Sequence, residues 1–127
     1  MKELKFFLCT HCGNLAGMVY SSGVPMICCG EPMKELVPNT VDAAGEKHKP
    51  VVSVAGNTVT VTVGSVAHPM TEAHLIQWVA LQTEQGVQRK VLAADSAPTV
   101  TFALTEGDKP VAAYAYCNLH GLWKTEV

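Results

Sequence analysis

Four cysteines within the first 36 of the chain's 127 residues constrain its fold more than any other feature. Cys9 and Cys12 form a Cys-x-x-Cys pair, and the adjacent Cys28 and Cys29 follow. A segment this short buries too little apolar surface to be stable alone, so it needs a bound metal or a partner. A disulfide between two neighbouring cysteines would strain the peptide that joins them, and the total of five cysteines is odd. The pattern therefore predicts one metal ion bound by four thiolates.

Four sulfurs form a tetrahedral site that suits zinc or a single iron ion, and their spacing does not distinguish the two metals. A glycine follows each pair, Gly13 and Gly30, and relieves crowding where backbone amides turn toward sulfur. Four free buried thiols are the alternative interpretation. His11 lies inside the first pair, but four thiolates already complete the shell, so we expect its imidazole to face solvent.

The composition changes near residue 37, and a domain boundary is predicted between residues 37 and 38. Beyond it, Asn57–Val63 alternates threonine with valine, the period of a half-buried strand, and a Gly56-Asn57 turn precedes it. Turn residues separate further strands, predicted at Pro50–Val54, Leu75–Leu81, Val87–Ala93, Thr99–Leu104, Val111–Tyr116 and Leu122–Val127. Seven short strands without a long helix favour a mainly β fold, an immunoglobulin-like antiparallel β-sandwich.

Charge and hydropathy exclude several functions. The net charge of −2 gives no basic excess for a phosphate backbone, so no nucleic-acid binding is expected. The sequence has no run of about 18 apolar residues, so no membrane span is expected. The N-terminus also lacks the features of a signal peptide. We therefore expect a cytoplasmic protein.

A second set of soft ligands lies at the ends of the predicted strands. Its members are His48, His68, His74, Cys117 and His120. The six residues from His68 to His74 would span about 20 Å on a strand and about 9 Å on a helix, with side chains pointing apart. Both can therefore reach one ion only from a loop that folds back, whereas Cys117 and His120 can share an ion across a short turn. Spacing alone leaves open whether these residues bind a common metal or are separately structural.

Three motifs together resemble the two-iron superoxide reductases of the desulfoferrodoxin family. They are Glu46-Lys47-His48-Lys49-Pro50, His68-Pro69-Met70 leading to His74, and Cys117-Asn118-Leu119-His120-Gly121-Leu122-Trp123. The resemblance implies that residues 1–37 are a desulforedoxin-like module with one Fe(SCys)4 centre. It implies that residues 38–127 are the catalytic, neelaredoxin-like β-sandwich domain. The expected cofactors are two iron ions per chain.

The resemblance also implies the chemistry of the second iron. Four equatorial imidazoles, from His48, His68, His74 and His120, and the axial thiolate of Cys117 would leave a sixth position open. At this position superoxide would accept one electron and two protons to give hydrogen peroxide, in defence against oxidative stress. A rubredoxin-type electron donor and a homodimer are the implied partners.

Glu46 and Lys47 precede the first histidine ligand, and by composition alone they form a solvated charged loop. The resemblance implies that Lys47 attracts superoxide to the open position and that Glu46 occupies this position once iron is oxidised. Lys49 is a weaker candidate for the same electrostatic role. Trp78 and Trp123 are expected to pack beside the site, either as core aromatics or with a functional role.

Three other functions are considered. A rubredoxin-type electron carrier would use the four N-terminal cysteines and leave the second ligand set unexplained. A zinc-ribbon and β-sandwich binding module would be colourless, and a superoxide dismutase would also produce oxygen. The four-cysteine site has no open position, so we expect it to stabilise the protein, with electron relay as the alternative.

Overall fold

A computed structural model describes residues 3–127, and the chain divides into two compact units, Met1–Val37 and Pro38–Val127. We call them the N-terminal unit and the sandwich unit. No helix among the described residues has both the length and the apolar character needed to cross a membrane.

The N-terminal unit consists of very short antiparallel strands. They are β1 (Phe6–Leu8), β2 (Leu15–Gly17), β3 (Ile27–Cys28), β4 (Glu31–Pro32) and β5 (Lys34–Glu35). β1 lies between β2 and β5 in a three-stranded sheet, and β3 pairs with β4. Only Phe6 and Cys9 are buried among residues 3–37. So small a core supplies little stabilisation from apolar burial, as expected for a unit that depends on a metal.

The sandwich unit contains one short helix and seven strands. They are α1 (Gly45–His48), β6 (Pro50–Ala55), β7 (Thr58–Val63), β8 (Ile76–Thr83), β9 (Val87–Val91), β10 (Thr99–Ala103), β11 (Pro110–Cys117) and β12 (Gly121–Glu126). One antiparallel sheet has the order β10-β7-β6, and the other has the order β12-β11-β8-β9. The predicted mainly β fold is confirmed, and the strands lie within a few residues of their predicted positions.

The core lies between the two sheets. In β7, Val59, Val61 and Val63 are fully buried while the intervening threonines face outward, so the predicted alternation is confirmed. They pack in one cluster with Phe102 of β10 and with side chains of β8 and β11, including Cys117. A cysteine in this cluster is held by the surrounding apolar side chains before any ligand binds.

Side-chain hydrogen bonds link the edge strands of the two sheets on both sides of the sandwich unit. On one side, Gln88 of β9 donates from Nε2 to the carbonyl oxygen of Ala103 at 2.9 Å, and the Lys90 ammonium donates to that of Thr101. On the other side, the Thr125 hydroxyl of β12 donates to the carbonyl oxygen of Pro50 at 2.6 Å. These bonds satisfy backbone carbonyls that an open sheet edge would leave unpaired.

The register brings the predicted ligand segments to one end of the sandwich unit. The start of β6 pairs with the end of β7, as Pro50 with Val63. The end of β11 pairs with the starts of β8 and β12, as Cys117 with Ile76 and Gly121. All the histidines of the second set precede or follow these strand ends, so loops at a single end of the fold carry them.

Candidate metal centres

The first candidate centre is formed by Cys9, Cys12, Cys28 and Cys29, which we call the first donor set. Their sulfur atoms all lie within 4.8 Å of one another, and Cys12 Sγ is 3.7 Å from Cys28 Sγ. Backbone amides face the sulfurs: the N–H of Cys12 donates to Cys9 Sγ at 3.5 Å, and the N–H of Asn14 donates to Cys12 Sγ at 3.5 Å. Four converging thiols with amide donors around them are a typical site for a soft metal ion.

A tight turn lets the adjacent cysteines act together. Cys29 and Gly30 form the two-residue loop between β3 and β4, and both have positive φ, 54° and 76°. Two positive φ values are typical of a type I′ hairpin turn. Because a non-glycine residue rarely adopts this conformation, the turn explains how Cys29 and its neighbour Cys28 point toward the same partners.

The thiols of this site ionise unequally. The backbone N–H of Cys12 is the main cause that lowers the pKa of Cys9 to about 6. The Cys12 and Cys9 thiols raise the pKa of Cys29 to about 12 and also raise that of Cys28. Neighbouring thiolates repel one another, so all four ionise together only when a cation binds among them.

His11 lies beside this centre without joining it. Its Nε2 is 2.9 Å from a carboxylate oxygen of Glu31, and both side chains are exposed. The expectation of a solvent-facing imidazole is therefore confirmed. The Glu31 contact could not be predicted, because it depends on the turn between β3 and β4.

The second candidate centre unites residues that are up to 72 positions apart. Donor atoms of His48, His74, Cys117 and His120 all lie within 4.8 Å of one another. His68 completes the group, because its Nε2 lies 3.2 Å from the Nε2 of His48. We call these five residues the second donor set. The segment from His68 to His74 is a loop, as its spacing requires.

Hydrogen bonds to carbonyls fix the tautomers of two imidazoles. His48 Nδ1 is 2.7 Å from the oxygen of Ala44, and His68 Nδ1 is 2.6 Å from the oxygen of Pro69. A carbonyl oxygen can only accept, so each Nδ1 carries the proton and each neutral ring has a lone pair on Nε2. Burial lowers the pKa of His68 to about 4, which keeps its ring neutral at neutral pH.

The Nε2 atoms of His48 and His68 lie 3.2 Å apart with their lone pairs facing each other. His120 Nδ1 lies 3.1 Å from the same His48 nitrogen. Two acceptors at this distance repel unless a cation lies between them. The Nε2 of His74 is also buried, and within residues 3–127 it has no hydrogen-bond partner. Burial is the main cause that lowers the pKa of His74. These nitrogens are arranged for a metal ion, because a metal would satisfy all of them at once.

The sulfur of the second donor set is fully buried at the end of β11. Cys117 Sγ lies 3.8 Å from His120 Nδ1. Burial raises the pKa of the Cys117 thiol, and the backbone N–H groups of Leu119 and His120 offset part of this rise. A β-bulge interrupts the pairing of β11 with β8 between Tyr116 and Cys117. Bulges of this kind redirect a side chain beside a functional site.

Trp123 contacts two members of the second donor set. Its ring stacks on His48 with centroids 4.9 Å apart and planes inclined by 25°, and its Nε1 donates to the carbonyl oxygen of His120 at 3.1 Å. The ring of Trp78 stacks on Tyr116, with centroids 5.7 Å apart. Trp123 therefore fixes one face of the His48 ring, whereas Trp78 supports the strand that ends in Cys117.

Glu46 and Lys47 lie with exposed side chains on α1, immediately before His48. The Glu46 carbonyl oxygen accepts from the N–H of Val66 at 2.8 Å and from the Ser65 hydroxyl at 3.2 Å. The positive charge of Lys47 is one of the causes that lower the pKa of His74. The field of Lys47 therefore extends to the second donor set.

Two residues that support α1 and the loop carrying His74 could not be nominated from the sequence. Gly64 lies so close to α1 that a Cβ atom there would be 2.5 Å from the Glu46 carbonyl oxygen. Asn118 binds both residues that flank His74. A single glycine or asparagine carries no recognisable pattern, and the only available signal was the position of Asn118 between two ligands.

Known proteins resemble this chain over nearly its whole length. The family model described as desulfoferrodoxin matches residues 40–126. A desulfoferrodoxin of Nitratidesulfovibrio vulgaris is 44% identical over 124 residues, which are 98% of this chain and 97% of the relative. The crystal structure of the superoxide reductase from Treponema pallidum is 50% identical, covers 98% of this chain and 100% of that one, and has a TM-score of 0.84.

A shorter protein resembles part of the chain. The one-iron superoxide reductase from Giardia intestinalis is 32% identical, covers 65% of this chain and 97% of that one, and has a TM-score of 0.56.

The two donor sets in this chain fit two iron centres, one with four sulfurs and one with imidazoles and a single sulfur. With a family model that spans most of its length and relatives that match nearly all of it, this chain belongs to the desulfoferrodoxin family.

Proposed function

We propose that this protein is a superoxide reductase whose second donor set holds the catalytic iron. The proposed reaction combines one superoxide, one electron and two protons to give one hydrogen peroxide. An external donor of the rubredoxin type would return the electron. Among its relatives, a protein of Pyrococcus abyssi named superoxide reductase is 35% identical over 103 residues, 68% of this chain and 90% of its own length.

The observation that carries the proposal is the pair of facing imidazole lone pairs beside a buried thiol. His48 and His68 present unprotonated Nε2 atoms to each other, and Cys117 Sγ belongs to the same group of donors. A structural zinc site has four ligands and no open position. Four imidazoles and one thiolate make five ligands, which suits an iron ion with one position free for a substrate.

Bound iron would supply the single electron that superoxide accepts. The surrounding residues set the charge of this site. Neutral imidazoles and one thiolate leave a net positive charge on a ferrous ion, so a small anion is still attracted. The Cys117 thiolate would donate electron density to a bound iron ion, as a thiolate does in haem enzymes. The ring of Trp123 and the carbonyl bonds of His48 and His68 keep the imidazoles oriented.

Product analysis tests this proposal. Iron-loaded, reduced protein should convert each superoxide to one hydrogen peroxide without releasing oxygen, as measured with an oxygen electrode and a peroxide assay. Release of one oxygen for every peroxide would identify a dismutase. A colourless protein with zinc in both sites would support the binding module, and iron in the four-cysteine site alone would support the electron carrier. Each of these three results would contradict the proposal.

Lys47 is proposed to attract superoxide. Its charge is exposed on α1 and influences His74. Replacing Lys47 with alanine should lower the second-order rate constant for superoxide by about tenfold at low ionic strength, because steering by a local charge commonly contributes 10–1,000-fold. The dependence of this rate on salt should also weaken. Stopped-flow or pulse-radiolysis measurements over a series of salt concentrations would detect both effects.

The matched control for this experiment is Lys109→Ala. Lys109 is also exposed and lies just before β11, at the opposite end of this strand from Cys117. The variant loses the same charge and should keep the rate of the wild type. Equal rates for Lys47→Ala and the wild type at low salt would reject the steering role. The role of Glu46 as a ligand of oxidised iron stays a prediction, supported by its exposed position on α1 two residues before His48.

The first donor set is proposed to hold an iron that stabilises the N-terminal unit. Support comes from the very small buried core of this unit and from the printed description of the Giardia relative as a one-iron superoxide reductase. Replacing Cys12 with serine should abolish the visible absorption of the four-sulfur centre and unfold residues 3–37, because binding energy at such sites is folding energy. Superoxide reduction should stay within about twofold of the wild type. Absorption, circular dichroism and rate measurements would check this, and loss of activity in a folded variant would instead support electron relay.

The protein is further proposed to be a cytoplasmic homodimer. Several apolar side chains of the N-terminal unit are exposed, including Val19, Tyr20, Val24 and Ile27. A second copy of the chain would cover them, because exposed apolar patches commonly mark interaction surfaces. Light scattering after size-exclusion chromatography would give the mass, and a monomer at micromolar concentration would contradict this proposal.

A further inference from the structure

We propose that Asn118 is a positioning residue that fixes His74 relative to Cys117 and His120. The inference rests on the proposed metal site but assigns a role to a residue that donates no ligand atom. Its basis is the set of hydrogen bonds that Asn118 makes with Ala73 and Leu75, the residues immediately before and after His74.

The second donor set is divided among separate segments of the chain. His74 lies in the loop between β7 and β8, whereas Cys117 and His120 belong to the end of β11 and the turn before β12. Within its own loop, His74 exchanges backbone hydrogen bonds with Thr71, and the Thr71 hydroxyl bonds to the same residue. These bonds shape the loop but do not connect it to the sulfur of Cys117.

The side chain of Asn118 provides this connection. Its Oδ1 accepts from the N–H of Leu75 at 3.0 Å, and its Nδ2 donates to the carbonyl oxygen of Ala73 at 3.0 Å. Its backbone N–H also donates to the carbonyl oxygen of Leu75 at 3.3 Å. One side chain therefore binds the peptide groups before and after His74, while its own backbone joins the segment from Cys117 to His120.

The position of His74 depends on this connection more than the positions of His48 and His68 do. His48 and His68 are each oriented by a bond from Nδ1 to a carbonyl oxygen. The Nε2 of His74 has no hydrogen-bond partner within residues 3–127, so it is available for a metal and is not positioned by a bond of its own. Outer groups that orient metal ligands commonly contribute 10–100-fold to metal affinity.

The test compares Asn118→Ala with a matched variant at Asn39. The Asn39 side chain makes an equivalent pair of bonds with the backbone of Lys124, at 3.1 Å and 2.9 Å. Lys124 lies about 13 Å along β12 from His120, at a rise of about 3.3 Å per residue. Asn39 has a positive φ of 63°, so glycine is the replacement that removes its side chain without straining the backbone.

The measurement is the affinity of the second donor set for Co²⁺, by chelator competition followed through thiolate-to-cobalt absorption. The four-cysteine site in the same molecule serves as the internal reference. Asn118→Ala should bind Co²⁺ about 10–100-fold more weakly at the second set, with the reference site unchanged. Asn39→Gly should leave both affinities within about twofold of the wild type. Asn118→Asp keeps the acceptor for Leu75 and loses the donor to Ala73, so its affinity should be intermediate.

Each contrary outcome has a definite meaning. Wild-type affinity in Asn118→Ala would overturn the positioning role, and so would an equal loss in Asn39→Gly, because the effect would then be general destabilisation. If Asn118→Ala fails to fold, wild-type affinity in Asn118→Asp overturns it. Failure of the wild type itself to bind at the second set would instead refute the proposed function.

Discussion

Replacing Gly64 with alanine is expected to displace α1 and largely abolish superoxide reduction. The added Cβ would lie 2.5 Å from the Glu46 carbonyl oxygen and 3.0 Å from the Lys47 carbonyl carbon. Both contacts are with backbone, which cannot rotate away as a side chain can. Movement of α1 would carry Lys47 and His48 out of position together. Overpacking of this kind costs roughly 1–3 kcal/mol of stability.

The measurements are thermal unfolding, iron content and the rate of superoxide reduction. Gly86→Ala is the matched control, because a Cβ atom at Gly86 would meet nothing within 4 Å. We expect this control to keep the activity and iron content of the wild type. Full activity in Gly64→Ala would mean that α1 can shift without disturbing the catalytic iron.

Replacing Cys117 with serine is expected to remove the only sulfur of the second donor set while preserving the fold. Serine is nearly the same size, so the fully buried site should not collapse. Its hydroxyl does not ionise near neutral pH, so the thiolate-to-iron absorption of the second centre should disappear. The rate of superoxide reduction should fall at least 100-fold, the upper range of the roughly 10–100-fold cost seen for residues that only support a ligand.

The comparison variant for Cys117→Ser is Cys12→Ser, which makes the same chemical change in the first donor set. The two variants should have opposite effects, one losing activity and keeping the four-sulfur absorption, the other the reverse. Rates and visible spectra of both would be recorded under identical conditions. Retention of more than a third of the wild-type rate in Cys117→Ser would contradict the assigned role of sulfur.

Most of the fold could be predicted from local patterns. The alternation in β7 is visible in the sequence because one face of this strand is buried and the other is solvated. β8 is buried over nearly its whole length, so its pattern gives no alternation, and its end at Thr83 was placed two residues too early. The pairing order of the strands depends on contacts between distant segments, which a local pattern does not encode.

The candidate site could likewise be predicted only in part. Cysteine and histidine are chemically distinctive, so the residues of both donor sets could be nominated from the sequence. The hydrogen bonds that orient them could not, because they involve backbone carbonyls such as those of Ala44 and Pro69. Gly64 and Asn118 were missed for the same reason, since each acts on the backbone of a distant segment.

The bonds from Gln88, Lys90 and Thr125 that bridge the two sheets imply that the two centres acquire iron in different ways. A sandwich joined along both sides stays folded without an ion. Iron would therefore bind to the loops at one end of a unit that is already folded. The N-terminal unit has no comparable scaffold among residues 3–37, and its thiols gather only as its chain folds. When iron is scarce, the second donor set would therefore lose its ion reversibly, whereas the N-terminal unit would unfold.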